Sequence, residues 1–350
     1  MTPDEIRSLF PVLERLAYLN AGTFGPLAQP TTAALQDQLD ADLTGGRFGK
    51  QYFERMLELR KQARVVVGGL VGASPEQVSL TGSTTDGCNI VLAGLDLSPD
   101  DEIVTTTEEH FGLLGPLHAS GARVLAVEPE PEAILGAVTP RTRLLALSQV
   151  LWTSGRTLPV RELREQTGIP VLVDGAQSVG AIPVDAAGLD FLTISGQKWL
   201  CGPDSTGALV VADPERLRVA RPSYFSQSAY ERTGSFEPAE GAARFDPGWL
   251  SSAVLAGLLA AIEVRPEWAF ERAAEQAAGC RALLEPFVEV VPGEATLVAF
   301  RHEDPAALVE RLAAEGVVVR EIPKTGLVRV SCGYWTNEDD LTRLADTIGA

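Results

Sequence analysis

The sequence predicts an α/β protein: a mostly parallel, doubly wound sheet in a large domain, followed by a smaller C-terminal α+β domain. Three observations carry this. Between residues 78 and 211, short runs rich in Val, Ile and Leu alternate with helical stretches. Those runs are continuously apolar rather than alternating, as in strands buried on both faces. After Arg221 the texture changes, and 221–248 is rich in Ser, Gly, Pro and aromatic residues.

Taken in order, 78–80 reads as a strand and 86–95 as a helix. Strands follow at 103–106, 123–127 and 143–147, then a helix over 160–166. Strands at 171–173, 191–194 and 208–211 complete the set. Strand–helix–strand alternation implies parallel pairing with right-handed crossovers. The segment 221–248 reads as irregular, and 250–264 as a strongly apolar helix. Helices at 267–284 and 305–315, with β-like runs at 296–300, 317–320 and 327–331, form the second portion. This divides the chain into a large domain over 16–248 and a small one over 265–350, joined by the helix 250–264. Residues 1–15 are expected to pack on the small domain.

A length of 350 residues suits about two domains. The net charge of -18 argues against nucleic acid and anionic membrane as partners, since both require a basic face. No apolar run reaches the roughly 18 residues of a membrane span. The N-terminus carries early acids and no apolar core of a signal peptide, which points to a cytoplasmic protein. The cysteines, Cys88, Cys201, Cys280 and Cys332, form no C-x-x-C pair. With the scattered His110, His118 and His302, they give no disulfide framework and no metal site.

Lysine occurs only at 50, 61, 198 and 324, against 25 arginines. Ligands in open parallel sheets sit beyond the carboxyl ends of the strands. After 78–80 comes Thr81-Gly82-Ser83-Thr84-Thr85-Asp86-Gly87, hydroxyl residues opening a helix. It reads as a phosphate cradle or as simple N-capping. After 171–173 comes Asp174-Gly175-Ala176-Gln177, an acid facing the crevice or capping a turn. After 191–194 comes Ser195-Gly196-Gln197-Lys198-Trp199. Lys50 and Lys61 lie in charged helical stretches and Lys324 in a turn, whereas Lys198 follows a strand between apolar segments. A cradle, an acid and a lysine at neighbouring strand ends are what pyridoxal 5'-phosphate (PLP) needs. The lysine forms a Schiff base with its aldehyde, the acid keeps its pyridine nitrogen protonated, and the cradle holds its phosphate.

From about Tyr18-Leu19-Asn20 to the C-terminus the chain resembles the class V, fold-type I PLP enzymes. These include cysteine desulfurases, serine-type aminotransferases, kynureninases and isopenicillin N epimerase-like proteins. The most specific element is Asp174-Gly175-Ala176-Gln177-Ser178-Val179-Gly180, with Lys198 following 18 residues later. The resemblance implies that Lys198 is the Schiff-base lysine and proton shuttle, that Asp174 pairs with the pyridine nitrogen, and that Gln177 bonds the phenolic oxygen. It implies that Ser83, Thr84 and Thr85 hold phosphate with Ser195 and Gln197. His110, in Glu109-His110-Phe111, matches the histidine that stacks on the ring. Arg329, in Val328-Arg329-Val330-Ser331, matches the arginine that grips the substrate carboxylate, a task suited to paired donors. Asn20, Ala21 and Gly22 are expected near the substrate, and Arg156 as a second anion contact.

The departures are informative. Gln197 stands where the family commonly has His, and Ser148-Gln149-Val150 where Ser-His-Val is usual. Arg244-Phe245-Asp246-Pro247-Gly248-Trp249 resembles the segment that reaches the phosphate of the partner chain in a homodimer, with Trp249 in place of Thr. Desulfurases carry a nucleophilic cysteine on a loop just before the carboxylate arginine; the stretch 322–326 contains none. Cys332 and Cys201 read better as packed residues. The expectation is therefore a PLP enzyme acting at the α-carbon of an amino acid, most simply a class V aminotransferase. The alternatives are a C–S or β-elimination lyase, favoured by His110, or an epimerase. More distant readings are a non-catalytic scaffold and a nucleotide-binding dehydrogenase. The latter lacks its G-x-G-x-x-G turn, since Gly68, Gly69 and Gly72 are wrongly spaced.

Overall fold

The strand Thr142–Ser148 shows why the apolar runs do not alternate. Its Leu145 and Leu147 enter one core cluster, and Leu144 and Ala146 enter another on the opposite face. Both faces of the sheet are covered, so Leu144 to Leu147 are apolar at every position. The computed structural model describes residues 1–349.

The sheet has seven strands. Their spatial order is Val78–Thr81, Gly207–Val211, Phe191–Ser195, Val171–Asp174, Thr142–Ser148, Glu102–Thr106, Arg123–Val127. The last five are mutually parallel. Gly207–Val211 runs antiparallel to both of its neighbours, a departure from the parallel pattern. The cause is the connection. No helix lies between Ser195 and Gly207, and a crossover needs about a dozen residues or more, usually with one. Arg123–Val127 departs too: it is the edge strand and is partly exposed, not buried on both faces.

The helix at the first strand end begins at Thr84, two residues before the expected start. Ser83 is its cap, accepting the Asp86 N–H at 3.1 Å. The segment expected to be irregular holds a small hairpin, Gln227–Tyr230 with Phe236–Pro238. The apolar helix runs over Ser252–Val264, shorter at its start than expected.

A second, four-stranded antiparallel sheet follows, in the order Val290–Val291, Leu297–Arg301, Leu327–Ser331, Arg320–Ile322. The expected run 317–320 is two short strands, Val317–Val318 and Arg320–Ile322. Helices Ala269–Leu284, Pro305–Ala314 and Glu338–Gly349 contribute to its core. The N-terminal residues meet this part of the chain. Arg7 pairs with Asp340 at 2.7 Å, and the Phe10 ring lies against Tyr334 and Trp335.

Candidate active site

The carboxyl ends of the central strands open on a cavity of about 160 Å³. Ser83, Thr84, Thr85, His110, Ser148, Trp152, Asp174, Ala176, Gln177, Ser195, Gln197 and Lys198 line it. Three separate sequence motifs thus meet in one place.

Lys198 leaves the end of Phe191–Ser195 on a turn held by main-chain bonds. Gly202 donates to the Gly196 carbonyl and Gly25 to that of Gln197, both at 2.8 Å. Burial pushes the lysine amine down to about 8; Asp174 opposes this, while Arg329 and Arg320 add to it. An amine in that range exchanges protons near neutral pH. Asp174 ends its strand and is buried. Its Oδ1 accepts the Ala176 N–H at 2.9 Å, and Oδ2 is left without a donor among the described residues.

Gln177 is held at both ends of its amide. Nε2 donates to the Gly22 carbonyl and Oε1 accepts the Trp199 indole N–H, each at 2.9 Å. One Nε2 hydrogen remains for a ligand. Ser195 donates to Gln197 Oε1 at 2.7 Å, so the glutamine in place of the usual histidine belongs to the polar wall. His110 caps the helix Phe111–Ala119, with Nδ1 accepting the Gly112 N–H at 3.0 Å. Burial, then Lys198, lowers its pKa, so the neutral ring with the proton on Nε2 is favoured. Trp152 meets the His110 ring edge-on, with centroids 5.0 Å apart.

Arg329 is buried in Leu327–Ser331. It donates to the Trp152 carbonyl at 2.9 Å and to Thr23 Oγ1 at 3.2 Å, while its Nε is buried without a partner. Arg320 lies directly opposite across the antiparallel pair and donates to the same Thr23 hydroxyl at 3.1 Å. No carboxylate among the described residues pairs with either. Burial, then Arg320, pushes Arg329 down to about 9. Like charges directly opposite on paired strands repel, so this arrangement suits an anionic ligand.

Asn20, Ala21 and Gly22 form the turn that backs this pair. Asn20 accepts from Thr23 at 2.8 Å, Ala21 is buried, and Gly22 donates to Ser331. A Cβ at Gly22 would stand 2.8 Å from Arg329 Nη2, so a larger residue there would push the guanidinium aside. Arg156 is not the second anion contact. It pairs with Glu130 at 3.0 Å and donates to the Pro129 carbonyl. Arg320, rather than Arg156, stands beside Arg329. Sequence reasoning missed Arg320, Thr23 and Trp152; a hairpin reading of 320–331 would have set Arg320 against Arg329. Gly248 and Trp249 lie outside the cleft, and Trp249 is exposed, stacked on Tyr224 at 5.9 Å.

The residues present fit PLP. A helix N-terminus with hydroxyl side chains suits its phosphate. An unsatisfied Asp174 oxygen suits its pyridinium, and a buried amine its aldehyde. No cysteine is available as a nucleophile. Cys201 is fully buried and pushed up to about 12 by that burial, and Cys332 is likewise buried in the second core.

This geometry is that of a PLP-dependent enzyme of fold type I, and the chain belongs to the aminotransferase class-V family, whose model matches residues 18–344. An isopenicillin N epimerase from Streptomyces clavuligerus is 29% identical, over 83% of this chain and 83% of that protein. A probable cysteine desulfurase from Pseudomonas aeruginosa is 30% identical, over 97% and 96%. Among solved structures, the cystine C-S lyase C-DES in complex with its reaction product cysteine persulfide superposes with a TM-score of 0.91. It is 26% identical, covering 97% of this chain and 99% of that one. A C-DES lysine-to-alanine mutant with glycine covalently linked to the PLP cofactor gives a TM-score of 0.92 at 26% identity, covering 98% of each chain.

Proposed function

We propose that the protein is a PLP-dependent C–S lyase. Its substrate class is an amino acid with a sulfur leaving group on the β-carbon and a second acidic group. The observation that carries this is the facing pair Arg320 and Arg329, two guanidinium groups without a carboxylate between them. One grips the α-carboxylate; the other has no work to do on a monoacidic substrate. The absence of an available cysteine argues against a desulfurase that keeps sulfur on its own thiol. The likeness to a cystine C-S lyase supports the same reading.

PLP, when bound, supplies an electron sink for the α-carbon. Asp174 would hold the proton of the pyridine nitrogen through Oδ2. Lys198 Nζ takes the α-proton, its lowered affinity for protons leaving part of it neutral near pH 7 to 8. His110 would stack on the ring and donate a hydrogen bond from Nε2–H to the departing sulfur. Arg329 and Arg320 would fix the two acidic groups of the substrate.

Sequence alone ranks transamination first, and the experiment separates the two. The PLP-loaded protein is incubated with cystine, and pyruvate and persulfide are measured. Release of both with the visible spectrum retained supports elimination. Stoichiometric conversion to pyridoxamine 5'-phosphate without pyruvate means transamination and sinks the lyase. Within this reading, Arg320→Gln raises KM for a diacidic substrate about 10- to 100-fold, the worth of a charge-assisted hydrogen bond. KM for β-chloroalanine, which has a single carboxylate, is expected to stay within about 3-fold. Equal effects on both substrates would remove the assignment of Arg320.

The reading includes a homodimer. Tyr224 and Trp249 are exposed as a stacked pair beside Phe53, an apolar patch of the kind a partner covers. Sedimentation is expected to give twice the mass of 37.3 kDa. Trp249→Asp is expected to shift it toward the monomer; an unchanged dimer would put the interface elsewhere.

A further inference from the structure

Behind His110 lies a carboxyl group that this chemistry does not use. Glu109 is buried, 5% exposed. Its Oε1 accepts the Ser148 N–H at 3.0 Å and the Thr106 hydroxyl at 3.1 Å. Its Oε2 makes a short contact with Ser148 Oγ. Ser148 ends its strand, stands in register with Asp174 on the next one, and lines the cofactor cleft.

One proton bridges Oε2 and Oγ, and either side can supply it. An ionised Glu109 only accepts, so the serine hydroxyl must point its hydrogen at the carboxylate. A protonated Glu109 donates instead, and the serine hydrogen is freed for the cleft. We infer that Glu109 is a positioning residue whose own proton decides whether Ser148 donates a hydrogen bond into the PLP cleft. This rests on the reading that the cleft holds PLP.

Burial pushes Glu109 up to about 7, with Asp174 adding to the rise and the Ser148 and Thr106 bonds opposing it. Both states of the pair are therefore populated at neutral pH. The other titratable groups facing it are Asp174, across the strand pair, and Cys88, from the helix Thr84–Gly94. His110 follows it in the chain. Cys88 is pushed well above the usual thiol range and stays neutral, and His110 is lowered. Lys198, at about 8, is the second group in the cleft that changes charge near this range. The Glu109 transition is therefore read as a difference between variants that both keep Lys198.

The test is PLP binding to the apoprotein, followed by quenching of tryptophan fluorescence from pH 6 to 8.5. Wild-type affinity is expected to weaken about 3- to 10-fold as pH rises through about 7, the worth of one hydrogen bond. In Glu109→Gln the amide N–H donates to Ser148 at every pH, so this step disappears and the stronger binding persists. Ser148→Ala lacks the hydroxyl, and is expected to show the weaker binding without the step. A Glu109→Gln titration that keeps the wild-type step overturns the inference; a structural role alone would shift affinity uniformly.

Apoprotein melting checks the same carboxyl without the cofactor. Its folded value lies above the ordinary 4.5, so ionisation costs stability. That cost is absent below about pH 4.5, grows toward pH 7, and is complete above it. Glu109→Gln is therefore expected to gain in Tm relative to wild type at pH 8 over pH 5, and a pH-independent difference counts against the inference. Failure of wild type to bind PLP at any pH would instead overturn the cofactor reading, leaving the melting comparison to judge the carboxyl.

Discussion

Lys198→Ala is expected to abolish the visible band of the lysine–PLP Schiff base and to lower turnover by about 10⁴-fold. That is the upper end of what one positioned proton-transfer group contributes. The size of the effect follows from the site. Lys198 is the lone lysine of four that the fold buries in the cleft, and among the lining residues no other amine stands there. His110, the one other basic side chain lining the cleft, is held neutral with Nδ1 committed to Gly112. The fold should survive, because the turn around Lys198 is secured by main-chain bonds rather than by its amine. Far-ultraviolet circular dichroism and the visible spectrum, taken on one sample, check both halves. A variant that keeps more than a tenth of the activity would show that another group moves the α-proton.

The second large effect is on stability. Asp246 is fully buried and satisfies four donors: Arg60 Nη2 at 2.5 Å, Arg64 Nη2, Ser79 Oγ at 3.1 Å and the Leu80 N–H at 2.9 Å. It ties the helix Gly49–Leu70 and the strand Val78–Thr81 to the segment leading to Trp249. Asp246→Ala strands two guanidinium groups, one of them almost wholly buried over the Phe225 ring. Breaking such a pair costs about 3–5 kcal/mol, a large part of a typical total of about 5–15 kcal/mol. The denaturant midpoint should fall accordingly, with little change in slope. A loss under about 1 kcal/mol would mean that the arginines find water when the acid is removed.

Much of this was legible from the chain because strand ends and motifs coincide. Asp174 and Lys198 follow apolar runs, and a parallel sheet brings the ends of neighbouring runs to one crevice. The Ser83 cap and the Glu109-His110 turn are local in the same sense. Arg320 was not legible, since nothing beside it in the sequence marks it. Its meaning comes from antiparallel register, which sets it against Arg329 over a short turn. Trp152 acts partly through its carbonyl, which carries no signature in any residue type. The reversed strand Gly207–Val211 was hidden for a plainer reason: an apolar run does not state its direction, and only the missing helix before it does. Glu109 was visible as a letter beside His110, but its proton balance depends on a strand nearly forty residues away.

The two arginines stand on the four-stranded sheet, and the lysine on the turn that follows a strand of the seven-stranded one. On the proposed reading, the residue that moves protons and the residues that read the substrate are encoded in separate stretches of chain. A library randomised at position 320 alone should yield clones re-addressed to new side chains, with the Lys198 amine released from the Arg320 charge that helps to lower its pKa. Descent within one family could then yield catalysts of different preference while the part that is hardest to build stays as inherited.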